Sequence, residues 1–196
     1  MAFQMTKTSP YIRVTAILFA VHFSLLTSFA QQRHSDGVDD ILQYVPYASV
    51  LTLKACGVKS RNEWPQLLAA TAGSWVVSAG VAYTLKHTIH EWRPDNSDNR
   101  SFPSGHTTFA FAGATVLHKE FGQLSPWISV AGYGVAILTA VDRVCRDRHH
   151  WYDACAGAAI GFLSTELTYY VTDRLFPRHN ATLALTTNSI GLNLTW

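Results

Sequence analysis

The chain has 196 residues, 48% of them hydrophobic and 14% charged, which suits one folded domain with a sizeable core and excludes a disordered chain. Its formal net charge is +2, and setting aside Lys7 and Arg13 leaves thirteen basic side chains against thirteen acidic ones. No broad basic face is available, so nucleic acid is excluded as a general partner and any positive cluster must be local.

In chain order, residues 1–30 read as an export signal. Lys7 and Arg13 form a basic start, 14–30 carries no charge, and Ser28-Phe29-Ala30 gives a small-x-small cleavage pattern. The same run is about the shortest that spans a bilayer, so it also fits an uncleaved N-terminal anchor. Either way, the remaining 31–196 form one domain on the non-cytoplasmic side of the membrane.

Asp39 or Asp40 is placed to cap a first helix, in which Pro46 marks a bend or a break before Gly57 stops it. A long helix follows over 67–92; its first nineteen residues carry no charge and are long enough to cross a bilayer. Pro94 introduces a polar loop at 95–100. A third helix runs from Ser104 to Phe121, ended by Gly122 and Pro126, a fourth covers 127–142, and a fifth covers 149–175 before Pro177. Small residues at 69–80 and 154–161 permit close helix contact, in lipid or in a soluble core. From about 178 the tail alternates apolar and polar residues around Asn188-Ser189, the pattern of a short hairpin. Asn180 and Asn193 each open a glycosylation sequon. The expected fold is all-α: a compact bundle of five to six helices, with its site at one end and a short C-terminal hairpin. A mean hydropathy of +0.07 is low for a fully embedded protein, and the bundle reads as membrane-associated.

Three cysteines, Cys56, Cys145 and Cys155, are odd in number and widely spaced. They give neither a disulfide framework nor a CxxC metal motif, and they read as buried thiols packing as small hydrophobes. His87 and His90 lie three apart but lack a third ligand, so no metal is expected.

Donor-rich residues concentrate at three helix ends: Lys86 with Arg93, then Ser104-Gly105-His106, then 143–153. Placed at one end of the bundle, Arg93 and Arg143 can grip an oxyanion bidentately while Lys86 adds a point charge. Bare amides at the start of a helix, with Ser104 as a donor and Gly105 permitting close approach, make a further anion seat. The histidines add chemistry to binding. His149 and Asp153 are four apart, so on a helix they share a face, where the carboxylate holds one ring nitrogen and frees the other as nucleophile or base. His106 is placed to protonate a departing alkoxide. Two histidines flanking a phosphate support double displacement through a phosphohistidine, with arginines stabilising the charge and no cofactor needed.

The segments KHTIHEWRP (86–94), PSGH (103–106) and RVCRDRHHWYD (143–153) resemble the three motifs of the type 2 phosphatidic acid phosphatase superfamily. That superfamily includes bacterial acid phosphatases, lipid phosphatases and vanadium haloperoxidases. The resemblance covers about seventy residues. It implies that Lys86, Arg93, Ser104, Gly105 and Arg143 bind phosphate, that His106 is the acid, His149 the nucleophile and Asp153 its orienting partner. Of the adjacent pair, His149 rather than His150 keeps the motif spacing. Where the superfamily has Ser before the third-motif arginine, this chain has Asp142, an extra carboxylate that is unfavourable beside phosphate unless it turns away or pairs with an arginine. Arg146 and Arg148 have no motif position and read as either the substrate entrance or a solvated loop.

The expected activity is a metal-independent phosphatase acting on phosphate monoesters or diphosphates of an envelope lipid, such as lipid A, a polyprenyl diphosphate or a phosphatidate. Other readings are a soluble periplasmic acid phosphatase on small esters, a vanadium haloperoxidase, and a non-enzymatic protein binding lipid head groups.

Overall fold

The computed structural model describes residues 39–176 and the backbone of two strands, Asn180–Thr186 and Ser189–Thr195. The expected signal or anchor at 1–30 lies outside the described residues. Six helices follow one another: α1 (Asp39–Leu42), α2 (Val45–Ala55), α3 (Trp64–Thr88), α4 (Gly105–Phe121), α5 (Pro126–Cys145) and α6 (Trp151–Leu175). The strands β1 (Asn180–Thr186) and β2 (Ser189–Thr195) pair antiparallel, Thr186 opposite Ser189, as the alternating tail predicted.

Helix α4 is the axis of the bundle, packed by α2, α3, α5 and α6. Its sequence accounts for this: Ala110, Ala112, Gly113, Ala114 and Val116 leave little side chain between its backbone and its neighbours. Gly161 of α6 crosses so close to α4 that an added Cβ would lie 2.3 Å from the Thr108 carbonyl oxygen. The main core gathers Tyr47, Val50, Leu53, Leu67, Val116, Leu117, Phe121, Ile128 and Tyr169 towards the end away from the motifs. That end is clasped by the fully buried Glu120, whose carboxylate accepts from the Asn62 amide at 3.0 Å, Asn62 Nδ2 at 2.8 Å and Tyr169 Oη at 2.7 Å.

Local chemistry moves several expected boundaries. Pro46 sits in the first turn of α2, where its missing N–H costs nothing, so the chain breaks between α1 and α2 rather than bending. Helix α3 starts earlier than predicted because Pro65 opens it, and it stops at Thr88, where Ile89 turns extended and Glu91 bridges to Arg100. Asp39 and Asp40, expected as caps, stand inside the first turn of α1 and make ion pairs instead. The cysteines are a correction: all three are exposed. Cys56 and Cys145 end helices, and Cys155 lies on the α6 face opposite Ala154, Gly157 and Gly161, which pack inward.

Candidate active site

The C-terminal ends of α3 and α5 and the N-terminal ends of α4 and α6 meet at the same end of the bundle, with the 89–104 and 146–150 segments laid across them. Proline and turn residues stop the helices here, and polar side chains that cannot be buried in the apolar core collect at these stops. The two segments are laced together: the Asp95 amide donates to the Asp147 carbonyl at 3.2 Å, Arg93 Nη1 to the Arg148 carbonyl at 3.2 Å, and Arg148 Nη1 to Asp95 Oδ2 at 3.1 Å. Between them opens a cavity of about 260 Å³ lined by Asp40, Arg93, Asp98, His106, Arg143, Arg146 and Arg148.

His149 follows Arg148 of the cavity wall but does not itself line the cavity, and it is only 2% exposed. Its Nδ1 stands 3.5 Å from Ser101 Oγ and 3.7 Å from Asp153 Oδ2, so Nε2 is the nitrogen left for chemistry. Burial, and then the charges of Lys86, Arg93 and Arg143, push its pKa down to about 2. The imidazole is therefore neutral at any ordinary pH, the state a nucleophile needs. The predicted shared helix face is corrected: α6 begins at Trp151, so His149 precedes the helix. The two residues face each other because Asp153 occupies the first turn and folds back over the entry. There its Oδ2 accepts from the His150 amide at 2.9 Å and from the Ser101 hydroxyl.

Lys86 Nζ donates to the Arg100 carbonyl at 3.0 Å, and its Cε lies 3.7 Å from where a Cβ on Gly105 would stand, which sets it over the start of α4. Gly105 opens that helix, so its amide and that of His106 have no carbonyl one turn back to pair with. Ser104 is placed differently from the expectation. It is fully buried, its amide donates to the Asp153 carbonyl at 3.1 Å, its hydroxyl meets Thr107 Oγ1 at 2.9 Å, and it does not line the cavity.

Arg93 Nε donates to Asp98 Oδ1 at 2.9 Å. Burial works against the Asp98 charge, but Arg93 and the Arg100 amide hold its carboxyl below the usual range. Arg143 Nη1 is bound to Asp39, while its Nε is buried with no partner among the described residues. An arginine 8% exposed with one edge held and the other bare is set up to receive an anion. Asp142 Oδ2 lies 3.7 Å from Arg146 Nη1, yet it is buried with no hydrogen-bond partner among the described residues and has the Asp39 carboxylate as a neighbour, so its charge is only loosely compensated.

Sequence reasoning missed Asp39 and Asp40 as site residues, because as residues ahead of an apolar run they look like ordinary helix starts. Asp39 is fully buried and bridges Arg143 and Arg146. Burial disfavours its charge, yet Arg143 and His106 outweigh that and hold its pKa low. Asp39, Asp40 and His106 bring three potential ligand atoms within 4.8 Å of one another. Both Asp39 oxygens are already engaged by guanidinium groups, which would repel a cation, so the cluster is an ion-pair network.

Residues 84–177, which contain all three motifs, match the PAP2 superfamily. Lipid A 1-phosphatase of Porphyromonas gingivalis is 39% identical over 140 residues, a span covering 71% of this chain and 32% of that protein. A probable diacylglycerol pyrophosphate phosphatase 1 of Schizosaccharomyces pombe is 38% identical over 96 residues, 42% of this chain and 33% of the relative. The chain spans about a third of the length of these relatives. Among solved structures, LpxE of Aquifex aeolicus has a TM-score of 0.53 at 18% identity, covering 80% of this chain and 94% of its own, and establishes the all-α fold alone.

Proposed function

We propose that the chain is a lipid phosphatase that removes phosphate from a monoester or diphosphate of an envelope lipid. The observation that carries this reading is the buried, neutral His149, with Nδ1 turned to Ser101 and Asp153 and three cations around the ring. In the first step His149 Nε2 attacks phosphorus, the bond to the leaving oxygen breaks, and His106 gives that oxygen its proton. In the second, water attacks the phosphohistidine, the P–N bond breaks, and His106 recovers a proton from the water. Arg93, Arg143, Lys86 and the amides at the start of α4 bind the phosphoryl oxygens as charge builds on them.

The names of the relatives support a lipid substrate, and so does the surface. Helices α3 and α5 are long and apolar enough to cross a membrane, with mean hydropathies of 1.3 and 1.4. Their outward faces expose Trp75, Val76 and Tyr83, and Val130, Ile137, Leu138 and Val141, continued on α6 by Leu163 and Leu167. A helix of 25 residues is about 37 Å long, enough for a hydrocarbon core of about 30 Å. The site would then lie at one membrane face, on the non-cytoplasmic side if 1–30 acts as the sequence predicts.

Phosphate release from a panel of lipid and water-soluble phosphates, comparing the natural chain with His149→Ala, tests this reading. Release from lipid phosphates that His149→Ala abolishes and EDTA leaves intact is the expected result. Release confined to soluble esters would move the assignment to an acid phosphatase. Bromide oxidation with vanadate and peroxide would move it to a haloperoxidase, and phosphate release unaffected by His149→Ala would remove the mechanism.

A further inference from the structure

Asp40 belongs to none of the three motifs, yet α1 delivers it to the cavity wall beside His106. Its Oδ1 lies 2.6 Å from His106 Nε2, while Asp39 Oδ2 is 3.6 Å from the same nitrogen. A carboxylate only accepts, so the Nε2 atom facing it carries hydrogen and Nδ1 is the ring nitrogen left for the substrate. Asp39 cannot serve in the same way, because Arg143 and Arg146 hold its two oxygens. Asp40 is exposed to the cavity and has His106 as its close partner. The charged groups acting on His106 are Asp39 and Asp40 from α1 and Arg143 from α5, with Arg93, Asp98, Arg146 and Arg148 completing the cavity. Burial, and then Arg143, press the imidazole towards its neutral form, and the two carboxylates oppose them.

We propose that Asp40 is a positioning residue for His106, fixing the Nε2–H tautomer and the ring so that Nδ1–H of the imidazolium delivers the proton to the departing oxygen. The inference rests on the phosphatase reading above. As the phosphorus–oxygen bond breaks, the electron pair stays with oxygen, the Nδ1 proton moves onto it, and the imidazole is left neutral with Nε2–H still bound to Asp40. Each histidine of the site then has its own carboxylate, Asp153 behind His149 and Asp40 behind His106.

The test measures kcat/KM against pH for an alkyl phosphate and for p-nitrophenyl phosphate, using the full chain in detergent. The natural sequence is compared with Asp40→Asn, Asp40→Glu and His106→Ala. p-Nitrophenolate departs without needing a proton, so only the alkyl ester calls on the acid. Asp40→Asn is expected to lose about tenfold or more on the alkyl ester and little on the nitrophenyl ester. The basic limb of its alkyl profile should move to lower pH, because the imidazolium loses its counter-charge. Asp40→Glu should recover most of the loss. Both esters are assayed on one preparation, so their ratio does not depend on the fraction folded. Equal losses on both esters, or an unmoved basic limb, would reduce Asp40 to a structural tether and overturn the proposal. Loss on the alkyl ester in His106→Ala but not in Asp40→Asn would overturn it while leaving the phosphatase reading intact. No phosphate release by the natural sequence from either ester or from the lipid phosphates of the panel above would remove both.

Discussion

Burial and three nearby cations make His149 a poor base for protons, the state that the proposed attack on phosphorus requires. With its pKa near 2, it does not protonate over the usual assay range. The kcat/KM profile of the free protein should therefore show no acid limb from this residue above about pH 3; a limb near pH 6 that vanishes in His149→Gln would contradict this. The same shift sets a stability dependence. Above the unfolded value of about 6.5, folded and unfolded states both hold the ring neutral; below it only the unfolded state gains the proton, so stability falls with pH. The loss from this residue is about 2 kcal/mol by pH 5, and His106, also lowered chiefly by burial, acts in the same direction. Thermal unfolding between pH 7 and 5 should flatten in His149→Asn.

Arg143 carries a second residue-scale expectation. Arg143→Ala leaves the buried Asp39 carboxylate with Arg146 as its guanidinium partner and its other oxygen without one; it should cost about 1–3 kcal/mol, and adding Asp39→Asn should return part of it in denaturant titrations. Arg143→Lys keeps the charge but cannot hold Asp39 with one edge and an anion with the other, so KM should rise more than kcat falls. The three motifs showed in the sequence which residues gather here. What they could not show was the partner of each. Spacing specifies neither that Ser104 turns inward to Asp153 and Thr107 nor that Asp39 and Asp40, over sixty residues away, come to rest on Arg143 and His106.

At the scale of elements, the close crossing of α4 and α6 sets the position of the amides at the start of α4. A Cβ on Gly157 would stand 2.6 Å from the Ser104 carbonyl oxygen, and one on Gly161 would stand 2.3 Å from that of Thr108. Both obstacles are backbone, which cannot swing aside. Gly161→Ala should destabilise by about 1–3 kcal/mol, read from thermal unfolding. Gly157→Ala pushes on the residue before Gly105 and should lower kcat even in molecules that remain folded. The small residues of 154–161 predicted such an approach. The helix starts were less legible, because proline at the first turn and the fold-back of Asp153 set them, and both act over two or three residues where apolar periodicity is silent.

At the scale of the whole molecule, α3, α5 and α6 expose large apolar side chains along their lengths, so the bundle should partition as an integral membrane protein. Carbonate washing should leave the full chain in the pellet, and the double substitution Leu138→Arg with Leu163→Arg should move it towards the supernatant or into aggregates. The helix count, the order of the helices and their shared polar end were legible from apolar run lengths and turn residues. The exposure of the cysteines was not, because a thiol suits a core and a lipid-facing surface equally well.

The bonds that lace Arg93 and Asp95 to Asp147 and Arg148 turn two distant stretches of sequence into one rim. Retuning the cavity towards a bulkier or smaller ligand would then be a matter of exchanging both stretches as a cassette, since either transplanted alone would arrive without the residues that shape it.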